Sequence, residues 1–278
     1  MTTITLPDGL PIENSKLIQV FDYQSTQEIS KQEIILNQNT FSFLLDGTKE
    51  VFFDNSTLSI ENSEFLIMKS GHCLMTEKLS EVKNYRSLLL FFSNKTLLNF
   101  IHKNNLAAKK SSEYKSVYSF KYDNFIRSFV KNLEDISKLS DPVKNKLLQL
   151  KLEEILVYLI EIYGTDFLFS LTINSDNTTQ KFTQTIESNK LNKLTLKELA
   201  FLCNMSVSTF KREFEKHYAE SPIKWFQNKR LEHANYLLHK ELKTPSEMYF
   251  EVGYESLSSF IQAYKSKYGI TPKQHQNN

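Results

Sequence analysis

The chain has 278 residues, of which 40% are hydrophobic and 24% charged, so it is long enough for two domains and apolar enough to bury their cores. Its composition predicts no membrane-spanning helix, secretory signal, disulfide framework or glycine-rich nucleotide loop, and it favours a cytoplasmic protein without a cofactor. The net charge of +2 hides an asymmetry, because residues 190–278 hold 14 Lys and Arg against 9 Asp and Glu. A basic C-terminal segment is compatible with a polyanionic partner such as nucleic acid.

Six short runs rich in Ile, Phe, Val and Leu predict β-strands in the first ninety residues. The runs are Gln32–Leu36, Thr40–Leu45, Glu50–Asp54, Thr57–Ile60, Glu64–Met68 and Ser87–Phe92. Their regular spacing favours an antiparallel sandwich or barrel. The aromatic side chains expected in its core are Phe41, Phe43, Phe52, Phe53 and Phe65. His72 and Cys73 are adjacent, so on a strand they would face opposite sides, and we expect no shared metal.

Apolar residues at helical spacing predict three helices in the next seventy residues. The first begins at Asn94, the second spans Asn124–Ile136 and the third spans Asp141–Tyr163. The third helix has an apolar stripe wide enough that Leu148 and Leu152 are expected to face outward, which would allow a homodimer through residues 120–163. The alternative is that both long helices only complete the core. Polar residues predict a linker within 164–178.

An internal repeat occupies residues 194–272. Thr195 and Glu198 recur 49 residues later as Thr244 and Glu247. With an offset of 50, Ser206, Ser208, Phe210, Tyr218 and Pro222 recur as Ser256, Ser258, Phe260, Tyr268 and Pro272. Each copy predicts a capping box, a short helix, a tight turn and a second helix with a serine N-cap. That order is typical of a helix-turn-helix unit, whose second helix enters the major groove of DNA.

A helix predicted over Ile223–His239 joins the two units. Its 17 residues span roughly 25 Å, which together with the width of the units brings the two reading helices about one DNA turn apart. The residues expected to contact DNA are Ser206, Ser208, Thr209, Lys211 and Arg212 in the first unit and Ser256, Ser258, Gln262 and Lys265 in the second.

Residues 178–278 resemble the DNA-binding domain of AraC/XylS-type transcriptional regulators. The matching strings are SVSTFKREF at Ser206–Phe214, Ser221-Pro222, Arg230-Leu231, Gly253-Tyr254 and GITP at Gly269–Pro272. The resemblance implies seven helices, beginning with Gln180–Glu187, and an ion pair of Arg230 with a carboxylate, for which Glu247 is the candidate. It also implies that residues 1–170 form a regulatory half, a cupin-like antiparallel β-barrel followed by helices.

Three residues depart from the family pattern. Ala219 stands where the first unit usually has Gly, Tyr249 where the second usually has Ala, and Gln262 where an Arg is common. Because Gln carries no charge and prefers adenine, we expect the second unit to contribute less electrostatic affinity than the first.

The sequence thus predicts an α+β protein with a regulatory and dimerisation domain over 1–170 and a double helix-turn-helix domain over 171–278. The predicted function is transcriptional regulation, as an activator rather than an enzyme, with double-stranded DNA and RNA polymerase as partners and a small-molecule or protein effector at the N-terminal domain. Two alternatives remain. The first is a cupin-type enzyme or ligand-binding protein with a DNA-binding tail; the enzyme would need metal ligands, yet no HxH pair occurs. A nucleoid-bending protein would not need the large N-terminal domain.

Overall fold

The computed structural model describes residues 3–11, 16–107, 114–172 and 178–276. The chain divides into two compact units, Met1–Gln184 and Thr185–Asn278. The strands are β1 (Ile4–Leu6), β2 (Ile18–Ser25), β3 (Ile29–Leu36), β4 (Asn39–Asp46), β5 (Thr48–Phe52), β6 (Thr57–Glu61), β7 (Glu64–Met68), β8 (Gly71–Lys78), β9 (Tyr85–Phe92) and β10 (Val117–Lys121). The helices are α1 (Asn94–Lys103), α2 (Asn124–Ser137), α3 (Asp141–Tyr163), α4 (Asp166–Thr172), α5 (Thr178–Ser188), α6 (Leu196–Leu202), α7 (Val207–Tyr218), α8 (Pro222–Lys240), α9 (Pro245–Met248), α10 (Leu257–Tyr268) and α11 (Pro272–Gln276).

The strands of the first unit form two five-stranded sheets. Their orders are β1-β3-β8-β5-β6 and β10-β7-β4-β9-β2. All pairings are antiparallel except that of β1 with β3. The α+β class is therefore confirmed. The predicted barrel is not closed: the ladders of the described residues make two separate sheets, an arrangement that is compatible with a cupin-like jelly roll.

The predicted aromatic core lies mainly on the outer face of the second sheet. Side chains alternate along β4, so Phe41 and Phe43 point to one face while Ser42 and Leu44 point to the other. Phe41 and Phe43 are fully buried beneath the helices, and the Phe43 ring lies 5.7 Å from that of Phe129 on α2. The space between the sheets holds a second cluster that includes Leu44.

The long helix α3 has the predicted bounds, but the predicted outward face is wrong. Leu148 and Leu152 are only 1% and 2% exposed, because both pack in the core formed with α2 and the second sheet. Besides Ile162 and Tyr163 at its C-terminal end, α3 exposes Val143, Leu150 and Val157, which are 50%, 63% and 54% exposed. These three residues, spaced seven apart, are called the α3 stripe below.

The predicted linker is also partly wrong. Residues 166–172 form α4, whose Phe167, Leu168 and Leu171 are buried in the same core as α3. The polar run at 174–179 concealed this short apolar helix. The rest of the predicted linker, residues 173–177, lies outside the described residues.

In its described residues, the second compact unit contains helices joined by loops and no strand. With α5, which begins at Thr178, it contains the seven helices that the resemblance implies. The core of its C-terminal half is formed by α8, α9 and α10, with Leu231, Leu238, Met248 and Phe260 all buried. The α8 helix has 19 residues and is therefore about 28 Å long.

Candidate nucleic-acid interface

The first helix-turn-helix unit is α6, a turn and α7. The backbone N–H of Thr195 donates to the Glu198 carboxylate at 2.6 Å, and the N–H of Glu198 donates to Thr195 Oγ1 at 3.2 Å. This is the predicted capping box, and it begins α6. In the turn, Asn204 has a φ of +54°, a left-handed conformation that Asn tolerates better than most residues. The Met205 N–H then donates to the Ala200 carbonyl at 2.9 Å.

The second helix-turn-helix unit, which consists of α9, a turn and α10, repeats this geometry. The Tyr254 N–H donates to the Tyr249 carbonyl at 2.9 Å, which matches the Met205 bond with an offset of 49. Because the N-cap serines of α7 and α10 are 50 residues apart, the inserted residue is Glu255. The insertion therefore lengthens the turn and leaves both helices intact.

The predicted ion pair between Arg230 and Glu247 is not formed. The Glu247 carboxylate instead accepts from the backbone N–H and the hydroxyl of Thr244, both at 2.7 Å, and these bonds lower its pKa. Arg230 packs against the turn: a Cβ added to Gly253 would lie 3.1 Å from Arg230 Cδ. Gly253 also has a φ of +89°, so its conformation and this close approach both favour Gly.

The α7 helix turns a buried aromatic face inward and a polar face outward. Ser206 accepts from the N–H of Thr209 at 3.1 Å, and its hydroxyl lies 2.9 Å from that of Ser208. Phe210 and Phe214 are fully buried. On the opposite side Lys211 and Arg212 are exposed, and Arg212 Nε lies 3.8 Å from the Glu213 carboxylate.

The α10 helix has the same arrangement. Ser256 accepts from the N–H of Ser259 at 3.2 Å, and Phe260 and Tyr264 are fully buried. Ser258, Gln262 and Lys265 are exposed on the outer face. Each predicted contact residue of the second unit is therefore either the N-cap or exposed on one face of α10.

Sequence reasoning missed one residue of the α7 face. Glu215 is exposed, and at a spacing of i+3 from Arg212 it lies on the same side of the helix. Lys265 occupies the equivalent position in α10, 50 residues later. Lys211, Arg212 and Glu215 thus give the first face a net charge of +1, and Lys265 gives the second the same. Because the two net charges are equal, they do not support the expectation that the second helix-turn-helix unit contributes less electrostatic affinity for DNA than the first.

Aromatic packing holds α7 on α8. The Trp225 ring of α8 lies 5.6 Å from that of Phe214 and 4.9 Å from that of Tyr218, both on α7. On α10, the Tyr264 hydroxyl donates to Asn235 Oδ1 at 2.8 Å, which fixes α10 against α8. Both outward faces are therefore presented by helices with rigid inner contacts.

Comparison with known proteins finds similarity to transcriptional regulators in both halves of the chain. The model of the ExsA N-terminal regulatory domain matches residues 39–171, and that of a helix-turn-helix domain matches residues 199–278. The thermoregulatory protein LcrF of Yersinia pestis is 29% identical over 167 residues, which are 60% of this chain and 61% of LcrF. The HTH-type transcriptional regulator ExsA of Pseudomonas aeruginosa is 24% identical over 234 residues, 82% of either chain.

These matches support the predicted resemblance to AraC/XylS-type transcriptional regulators. The match spans about three fifths of the length of LcrF and of the virulence regulon transcriptional activator VirF of Yersinia enterocolitica, which is also 29% identical. A solved structure of a variant of apo ToxT from Vibrio cholerae aligns with 95% of this chain and 98% of that chain at 12% identity, with a TM-score of 0.45.

The relatives described above are named as regulators, so the enzyme alternative gains no support. His72 and Cys73 lie on β8, with Cys73 fully buried between the sheets and His72 half-buried. The described part of the chain contains no group of three or more His, Cys, Asp or Glu that could hold a metal. None of its helices is long and apolar enough to cross a membrane.

Proposed function

We propose that the protein is a sequence-specific DNA-binding transcriptional activator that acts in the cytoplasm and inserts α7 and α10 into successive major grooves. The observation that carries this proposal is the repeated geometry: two capped helices, each with a buried aromatic pair and an exposed polar face, joined by the rigid α8. The names of the relatives support regulation and activation. RNA polymerase is the expected partner of an activator.

The residues of the two faces have different roles in this proposal. Arg212 can make a bidentate contact with a guanine edge, whereas Gln262 suits adenine. Lys211 and Lys265 provide ammonium groups for phosphates, and the hydroxyls of Ser208, Thr209 and Ser258 are short donors near a helix N-terminus. Ser206 and Ser256 are already used as caps, so their role is to hold the helix start in place.

Fluorescence anisotropy with a DNA site selected from random sequence tests the proposal. Arg212→Ala should weaken binding to the selected site by about tenfold or more, because a good bidentate contact is worth about 1–3 kcal/mol. Lys103→Ala is the control, since it also removes one exposed positive charge but lies on α1 of the first unit. Equal effects of the two variants, or equal affinity of the wild type for selected and scrambled DNA, would refute the proposal.

We further propose that two copies associate through the α3 stripe. Val143, Leu150 and Val157 are at least half exposed, and their spacing of seven residues keeps them on one side of the helix. A dimer that binds two half-sites gains effective concentration, which explains why an exposed apolar row would be retained.

Analytical ultracentrifugation tests the dimer. Leu150→Glu with Val157→Glu should make the protein monomeric, because two charges then occupy each half of the interface. Val82→Glu is the control, since Val82 is 77% exposed in the turn between β8 and β9. A monomeric wild type, both free and on DNA, would contradict the proposal.

An effector site is proposed between the two sheets. A cavity of about 260 Å³ is lined mainly by apolar side chains, including Leu6, Ile34 and Met75. At its polar end, Lys49 Nζ lies 3.1 Å from the Glu77 carboxylate, with both side chains buried. Because this ion pair is already neutral overall, the cavity suits an uncharged, largely apolar ligand with one hydrogen-bonding group.

Thermal unfolding with a medium-chain alcohol such as 1-octanol tests the cavity. The alcohol should raise the Tm of the wild type and have little effect on Ile34→Phe, which fills part of the cavity. Val82→Phe, at the exposed turn, should respond as the wild type does. Equal Tm shifts in wild type and Ile34→Phe would mean that the effector site is not in this cavity.

A further inference from the structure

A small polar pocket of about 150 Å³ lies in the first unit, between the turn after β5, the turn before β8 and the start of α5. Its described lining consists of Phe53, Asp54, Lys69, Ser70, Gly71, His72, Tyr114, Ser116 and Lys181. A water molecule occupies about 30 Å³ in the liquid, so the pocket has room for about five waters or for one phosphate-sized anion.

The described lining of the pocket holds more basic than acidic side chains. Two ammonium groups, those of Lys69 and Lys181, line it together with one carboxylate, that of Asp54. Lys181 Nζ lies 3.7 Å from the Asp54 carboxylate, and Lys69 Nζ donates to the Tyr114 hydroxyl at 2.8 Å. The Ser116 hydroxyl donates to the Asp54 carboxylate at 2.6 Å.

The electrostatics of the described groups show that Lys181 acts on both Lys69 and His72. Burial lowers the pKa of Lys69 to about 8, and Lys181 lowers it too, although Asp54 opposes both effects. Burial and Lys181 also lower the pKa of His72. A negative charge placed in the pocket would attract the ammonium groups of both Lys69 and Lys181.

We propose that this pocket binds a small phosphate-type anion, either inorganic phosphate or the phosphate group of a small metabolite, between the ammonium groups of Lys69 and Lys181. The hydroxyls of Ser70 and Tyr114 line the same pocket and can also contact the anion. Lys181 lies on α5, the helix through which the chain passes into the second unit, so an occupied pocket restrains that helix. Anion binding in this pocket does not depend on the proposed DNA-binding function.

Isothermal titration calorimetry of the full chain with inorganic phosphate at pH 7 tests the proposal, with sodium chloride adjusted to constant ionic strength. Lys181→Ala should weaken phosphate binding by about tenfold or more, because a hydrogen bond to a charged group is lost. Lys181→Arg should restore much of the affinity. Lys190→Ala is the matched control: its ammonium group, just after α5, also pairs with a carboxylate, that of Glu187 at 3.4 Å, but does not line the pocket.

A second variant and a second ligand extend the test. Lys69→Gln should also weaken binding if its thermal unfolding in chloride is cooperative. Glycerol 3-phosphate distinguishes a free anion from a phosphate group on a metabolite, because only the latter source predicts tighter binding of the ester. The proposal fails if phosphate gives no saturable heat beyond that of chloride, or if Lys181→Ala binds phosphate as the wild type does.

Discussion

Replacing Ala219 by Gly should stabilise the C-terminal compact unit, Thr185–Asn278. Ala219 ends α7 with φ +51° and ψ 23°, a left-handed conformation in which a Cβ costs about 1–2 kcal/mol. Gly removes this cost but loses about 0.4–1 kcal/mol through the greater freedom of the unfolded chain. The net expectation for Ala219→Gly is a gain of about 0.5–1 kcal/mol in the free energy of unfolding.

The repeat provides the reciprocal change. Gly269 ends α10 at the equivalent position with φ +79°, and no heavy atom lies within 4 Å of a Cβ built on it. Gly269→Ala therefore introduces no clash, and its effect isolates the backbone conformation. We expect a loss of about 1 kcal/mol.

Thermal and urea unfolding of residues 178–278 measures both effects. For a domain of this size, 1 kcal/mol corresponds to a Tm shift of about 4–8 °C, so the two variants should shift the Tm in opposite directions. Neither change touches a proposed DNA contact. A lower Tm for Ala219→Gly, or shifts of the same sign for both variants, would refute the argument.

The other predictions concern DNA binding and the core. In competition binding, Arg212→Ala should lose more specific affinity than Gln262→Ala, and the ranking is wrong if the losses are equal or reversed. Glu215→Gln should tighten binding to any DNA at low salt, because it removes a negative charge from the α7 face; unchanged affinity would place Glu215 away from DNA. The fragment 178–278 should bind DNA with an affinity that falls steeply with salt, as counterion release requires. By urea denaturation, Leu148→Glu should cost roughly 4 kcal/mol, because it buries a charge in the core, whereas Leu150→Glu should change stability by no more than about 0.5 kcal/mol.

The sequence could predict the elements that its local rules specify. The capping box at Thr195 and the N-cap serines satisfy their own backbone N–H groups within three residues, so short motifs predict them without tertiary information. The repeat added the spacing of the two units. The same rules predicted β3 to β7 and β9, where apolar runs are bounded by turn residues.

The predictions that were wrong concern features that depend on tertiary contacts. The helical stripe of α3 is wide, and only the packed structure shows that Leu148 faces the core while Leu150 does not. The strands β2 and β8 carry polar residues at buried positions, namely Gln19, Thr76 and Glu77. Because of this polar composition, the sequence did not predict these two strands. Arg230 was assigned a carboxylate partner, but a local cap takes up Glu247 first.

Hydroxyl-radical footprinting of the full-length protein on a DNA site selected from random sequence tests the central claim most directly. The account predicts two protected regions centred about 10 bp apart on one face of the duplex, because two reading helices enter successive major grooves. Arg212→Ala should weaken protection mainly in one region, and Gln262→Ala mainly in the other. A single protected region, or two regions that respond identically to both substitutions, would contradict the claim that both helix-turn-helix units read DNA.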